Sequence, residues 1–123
     1  MQHEALLYDR LDTGDVRCRV CPWDCQLLPG EKGRCRVREN QDGTLCTLNY
    51  GLVTAASLDP IERHGLYHLF PGCTVLSLGG WGNNLRCRHR PAPTELPSAS
   101  KVRLLDPERA VDFAVERRCR GVA

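Results

Sequence analysis

Four cysteines stand within one short stretch, in the spacing Cys18-x2-Cys21-x3-Cys25-x9-Cys35. Four thiolates are enough to surround one tetrahedral ion, and a C-x2-C turn aims two sulfurs at a common centre. Gly30 and Gly33 supply the freedom to reverse the chain so that Cys35 returns toward the other three. Arg17, Arg19, Arg34 and Arg36 flank the sulfurs, where they would offset the negative charge of a Zn(Cys)₄ unit and lower the thiol pKa values. Spacing alone does not separate zinc from an iron–sulfur cluster. Free buried thiols and disulfides are the two other readings of the same residues. The segment has so little apolar material that a bound ion would supply much of its folding energy.

The elements that must hold these cysteines are short. Residues 16–38 are rich in turn formers (Pro22, Pro29, Gly30, Gly33), which excludes a packed helix or a long strand. Before them, Leu6, Leu7 and Leu11 fall near helical spacing and predict a short helix over 3–12. Residues 44–58 read as two short strands or one bent at Gly51, and 59–72 as a turn-bounded connector. CTVLSL at 73–78 reads as a buried strand, followed by a glycine-rich loop, GGWGNN. Pro91, Pro93 and Pro97 make 91–100 extended or irregular. Asp106 then reads as an N-cap with Pro107 at the first helical position. Ala110, Phe113, Ala114 and Val115 form the apolar stripe of that helix, which runs to about Arg118. Residues 120–123 read as the start of a further strand. Strand, loop, helix and strand in that order are the opening of a βαβ unit, cut at the fourth residue of its second strand, as expected of a piece of something longer.

Composition narrows the function classes. The chain has 123 residues, enough for one small domain, whereas a complete (β/α)₈ barrel needs roughly 200 or more. Seventeen basic and fifteen acidic residues leave a net charge of +2, which argues against nucleic acid or an anionic membrane as partner. No apolar run approaches the ~20 residues of a membrane span. Residues 1–10 have no apolar signal core, so the reading is cytoplasmic. Eight cysteines in that setting point to metal or redox chemistry before disulfides.

A second cysteine region, Gly82-Asn83-Asn84-Leu85-Arg86-Cys87-Arg88-His89-Arg90, follows the buried strand. With EALLYDRL at 4–11, VRCRVCPWDCQLLPGEKGRCRVREN at 16–40, LNYGLV at 48–53, DPIERHGLYHLFPG at 59–72, SLGGWGNN at 77–84 and LLDPERAVDFAVERRCRGVA at 104–123, the chain resembles radical SAM enzymes of the pyruvate formate-lyase activating type. It is similar in particular to the AmmeMemoRadiSam-system radical SAM proteins. The resemblance implies a C-x3-C-x2-C loop after the first barrel strand. Three thiolates there hold a [4Fe–4S] cluster whose fourth iron binds S-adenosylmethionine, which is cleaved to a 5′-deoxyadenosyl radical. In this chain the three positions fall on Asn83, Cys87 and Arg90. Asn is a poor iron ligand and Arg has no lone pair to give. One thiol cannot hold such a cluster, which takes four cysteines or three plus substrate. Neither His89 nor Cys73 restores the set.

The remaining chemistry-bearing residues have ordinary readings. His64 and His68 in the connector read as packing and hydrogen-bonding residues. Gly79, Gly80 and Gly82 form a turn or a close approach to a cofactor, and Trp81 packs over that loop or fills core. Cys46 and Cys119 read as isolated buried thiols. No Ser/His/Asp triad, phosphate loop or paired-carboxylate site stands out.

These readings combine into an α/β protein. A Cys₄ module with short strands (1–58) and a connector (59–72) precede the first βαβ elements of an incomplete radical SAM, TIM-like barrel (73–123). The expected function is that of a glycyl-radical-activase-like radical SAM protein, inactive as this chain. Its cofactor is zinc or an iron–sulfur cluster on Cys18, Cys21, Cys25 and Cys35, and its partner an unidentified protein. A small Cys₄ interaction module without catalysis is the alternative, and a gene remnant without function a third. Substrate and oligomeric state are not legible.

Overall fold

A computed structural model describes residues 3–85 and 102–123, which divide into two compact units. The first unit takes the described residues through Tyr50 together with the segment that begins at Trp81. The second takes Gly51–Gly80 and the described residues from 102 onward.

The first unit is built from two three-stranded antiparallel sheets. Strands β2 (Tyr8–Arg10), β3 (Val16–Cys18) and β4 (Gln26–Leu27) form one, in that order. Strands β1 (His3–Glu4), β6 (Thr44–Thr47) and β5 (Arg38–Gln41) form the other, with β6 central. Alternation along β3 turns Val16 and Cys18 inward, where they meet Ala5, Leu27 and Leu45 in a small buried cluster edged by Tyr8 and Cys25. Asn40 is wholly buried and ties the sheets together. Its Nδ2 donates to the carbonyls of Leu27 (2.9 Å) and Gly14 (3.0 Å), and its Oδ1 accepts from the Gly43 N–H (2.9 Å). Each of those groups would cost about 1–3 kcal/mol if left buried and unpaired.

The helix expected over 3–12 is not formed. That stretch supplies β1 and β2, and Tyr8, Asp9 and Arg10 pair with Cys18, Arg17 and Val16. Leu6 is 91% exposed and Leu7 59%, so the leucine spacing does not mark a buried stripe. A ten-residue helix is marginal in water, while pairing on both sheets satisfies the same backbone groups.

In the second unit, β9 (Thr74–Gly79) lies between β8 (Ala55–Pro60) and β11 (Gly121–Val122). Val75 and Leu76 are buried, as the apolar run at 73–78 predicts. β8 is antiparallel to β9 over six residue pairs, and β11 is parallel to it. A short antiparallel pair, β7 (Leu52–Val53) with β10 (Arg103–Leu104), completes the strands. Helix α1 (Pro107–Glu116) starts as the sequence predicts. The Asp106 carboxylate accepts from the Arg109 N–H (2.8 Å), Pro107 occupies the first turn, and Ala110 and Ala114 are buried.

The expected fold class is overturned. The described chain is a set of two- and three-stranded sheets with one ten-residue α-helix, not the opening of an α/β TIM-like barrel, and no barrel closes among the described residues. The reason lies at β9. A barrel strand needs parallel neighbours on both sides, whereas β8 occupies one edge of β9 in the antiparallel sense along its whole length. Among the described residues no helix is long and apolar enough to cross a membrane.

Candidate metal centre

The four clustered cysteines line one cleft of about 260 Å³ in the first unit. The β3–β4 hairpin places two of them: the Cys18 N–H donates to the Cys25 carbonyl (2.9 Å), so these residues face each other across its mouth. Cys21 lies in the hairpin loop, which is closed by a hydrogen bond from the Asp24 N–H to the Cys21 carbonyl (3.1 Å), with Asp24 in the left-handed region at φ 45°. Cys35 comes from a separate turn, where the Arg36 N–H reaches the Gly33 carbonyl (2.9 Å). Gly30 reverses the chain at φ 82°, as its position predicts, but at the second turn the left-handed residue is Arg36 (φ 63°) rather than Gly33.

All seven cysteines among the described residues are free thiols. As the side chains stand, no three His, Cys, Asp or Glu groups among the described residues are drawn close enough to hold an ion. The fit is therefore one of placement: the β3–β4 hairpin and a separate turn bring four cysteines to the lining of one cleft. Burial raises the Cys18 thiol pKa, against a hydrogen bond from the Val20 backbone and the positive charge of Arg38, while the Cys35 and Cys25 thiols add to the rise. Metal binding would displace the thiol protons of its ligands.

The cationic surroundings differ from the expected set. Arg19 is engaged with Asp9 (2.7 Å) and Asp24 (2.8 Å), and the Arg34 guanidinium stacks over the Trp23 ring at 3.8 Å. Arg38, which no spacing marked, shares the cleft wall with Arg34. A polar chain holds that wall: Arg38 Nη1 donates to Thr47 Oγ1, the Thr47 hydroxyl donates to Asn49 Oδ1 (3.1 Å), and Asn49 Nδ2 donates to the Trp81 carbonyl (3.2 Å). Trp81, Gly82, Asn83 and Asn84 complete the cleft.

Of the three positions at which the resemblance would place cluster ligands, Asn83 sits in this wall with its Oδ1 accepting from the Leu85 N–H (3.0 Å). Cys87 and Arg90 lie outside the described residues. Cys46 is buried in β6, and Cys119 is half-buried in the second unit.

The second unit brings together five residues that spacing did not connect. His64 Nε2 and Ser77 Oγ share a hydrogen bond (2.8 Å), and Asp59 accepts from Ser57 Oγ (2.5 Å) and Arg63 Nη1 (2.6 Å). This is not a Ser/His/Asp triad, because a triad carboxylate binds the far ring nitrogen of the histidine, whereas Asp59 bonds serines and an arginine. The hydroxyls of Ser57 and Ser77 and the Arg63 guanidinium hold the Asp59 carboxyl at about 2, below its ordinary 3.8. A depressed carboxylate stabilises the fold fully above its unfolded pKa and loses that contribution as pH falls through its folded one. Acid unfolding of the second unit should therefore steepen between about pH 4 and 2, and Asp59→Asn should flatten that limb. Identical acid limbs for parent and variant would refute the assignment.

Among curated proteins, an uncharacterized protein of Methanocaldococcus jannaschii is 38% identical over 127 aligned residues. The match takes in 98% of this chain and 37% of the relative, so the chain spans little more than a third of that protein's length. No family model matches the chain. No solved structure matches it.

Proposed function

We propose that the first unit is a Cys₄ metal-binding module, carried by a chain of radical SAM lineage that does not itself cleave S-adenosylmethionine. The observation that carries the reading is that Cys18, Cys21, Cys25 and Cys35, delivered by two separate turns, line one cleft. Zinc and an iron–sulfur cluster are both served by four thiolates. Either ion adds folding energy to a unit whose buried apolar cluster comprises five residues. The lineage rests on the linked sequence motifs. The lack of turnover rests on ligand count, since Asn83 and Arg90 replace two of the three thiolates that leave one iron open to S-adenosylmethionine.

Elemental analysis of protein purified without oxygen tests the module. We expect about one zinc per chain in colourless protein, or about four irons in brown protein. Zinc and iron together below about 0.2 equivalents would sink the reading, because a structural site of this kind binds tightly. Protein reconstituted with iron and sulfide, then reduced and given S-adenosylmethionine, should yield no 5′-deoxyadenosine above a protein-free control. Turnover would overturn the second half of the proposal and leave the first intact.

A further inference from the structure

We propose that Trp81 is the lid of the cysteine cleft, its indole N–H donating to a sulfur of the metal-filled centre so that residues 81–84 close over the ion. The inference rests on the Cys₄ reading and adds to it a fifth contributor distant in sequence. Three side-chain nitrogens among the described residues are buried without a hydrogen-bond partner: Arg17 Nε, Arg38 Nε and Trp81 Nε1. All three are donors. Arg38 and Trp81 both stand in the wall of the cysteine cleft.

Trp81 is 6% exposed. An indole nitrogen can only donate, so neither rotation nor a change of protonation removes its need for an acceptor. A neutral thiol is a weak acceptor, whereas hydrogen bonds to an ionised group are shorter and roughly twice as strong. Metal binding converts thiols to thiolates. The same event that fills the cleft thus creates acceptors in a cleft whose lining residues include two with donors that have none.

The backbone around Trp81 is already fixed for this role. Asn49 Nδ2 holds the Trp81 carbonyl (3.2 Å), and Trp23 Nε1 donates to the Asn84 carbonyl (2.8 Å), so the loop is pinned on both sides of Gly82. Gly82 itself lies hard against the Cys35 carbonyl and the Val37 side chain, which ties the loop to the turn that delivers Cys35. Core filling alone would need the bulk of the ring but not its N–H, and that difference makes the role testable.

The test uses the full chain, prepared without metal and titrated with Zn²⁺ or Co²⁺. The chain has two tryptophans, so its indole N–H resonances are few, and Trp81→Phe identifies the relevant one by deletion. On Zn²⁺ addition that resonance should shift and gain protection from solvent exchange, saturating with the metal. Trp81→Phe keeps an aromatic ring of smaller bulk and should keep the stoichiometry, while weakening the site about tenfold, the lower end of what loss of an outer hydrogen bond to a metal ligand costs. It should also move the sulfur-to-cobalt charge-transfer band, which reports electron donation from the sulfurs. The response of the indole N–H itself, which bulk does not supply, separates the hydrogen bond from core filling. Unchanged affinity and an unchanged band in Trp81→Phe would overturn the inference and leave the Cys₄ module standing. Absence of metal binding by the parent chain would overturn the module and the lid together. Should Trp81→Phe fail to fold, the indole resonance of the parent still decides, because an N–H that ignores bound Zn²⁺ donates to no metal-bound sulfur.

Discussion

Cys21→Ser is expected to empty the cysteine cleft of metal and to unfold residues 16–38. Cys21 is the informative choice because it lies in the hairpin loop, outside the buried cluster of Ala5, Val16, Cys18, Leu27 and Leu45. Its loss therefore removes a ligand without opening a cavity in the core. Structural zinc in small Cys sites contributes about 10–16 kcal/mol at neutral pH, and a whole domain is stable by only about 5–15 kcal/mol. A unit with so small an apolar cluster does not survive loss of a term that large. Metal content should fall from about one equivalent to below about 0.2, with dispersed amide resonances collapsing over 16–38. Cys119→Ser, in the second unit, should leave metal content unchanged. Native dispersion and full metal content in Cys21→Ser would contradict a Cys₄ site.

The second large effect is expected from a single added methyl group. A Cβ at Gly82 would overlap the Val37 side chain and sit 2.8 Å from the Cys35 carbonyl, and Gly82 holds φ 85°, where L-residues are strained. The left-handed backbone costs about 1–2 kcal/mol and forced overpacking about 1–3 kcal/mol more, so Gly82→Ala should destabilise the first unit by about 2–5 kcal/mol. Val37 and the Cys35 carbonyl belong to the cysteine turn, so relief by movement displaces a ligand. The measurement is thermal or urea unfolding of metal-loaded protein, read through amides of β3 and β5. A midpoint within error of the parent would show that the loop does not press on that turn.

What the sequence disclosed depended on whether the signal was local. The cap at Asp106 with Pro107 is written in adjacent residues, and the structure forms it at those positions. Likewise the apolar run at 73–78 becomes β9, and four cysteines within one turn-rich stretch line one cleft, although no three of their side chains close on a common point as they stand. The leucines at 6, 7 and 11 misled, since their spacing suits a helix face while the pairing of Tyr8–Arg10 with β3 is decided by residues several positions away. The barrel expectation failed for a similar reason. The sense in which β8 joins β9 is a tertiary choice that no run of residues displays. Arg38 and Asn49 escaped notice, and Trp81 reads in sequence only as packing over its loop or filling core, because their roles arise from contacts across the first unit. Only the buried indole nitrogen without a partner marks Trp81, and burial is not visible in sequence.

The first unit is discontinuous along the chain, and its order of synthesis follows from that. All four cysteines of the cleft are made before any residue of the loop that walls it, because Trp81 follows Cys35 only after the intervening segment of the second unit. At about 5–20 residues per second, the interval between Cys35 and Trp81 lasts roughly 2–9 s. Over that interval the cysteines exist without the 81–84 wall that the folded unit gives them. On the proposed Cys₄ reading, metal supply during translation then bears on the site as well as affinity afterwards, and a chain slowed between residues 36 and 80 leaves the cysteines longest without their wall.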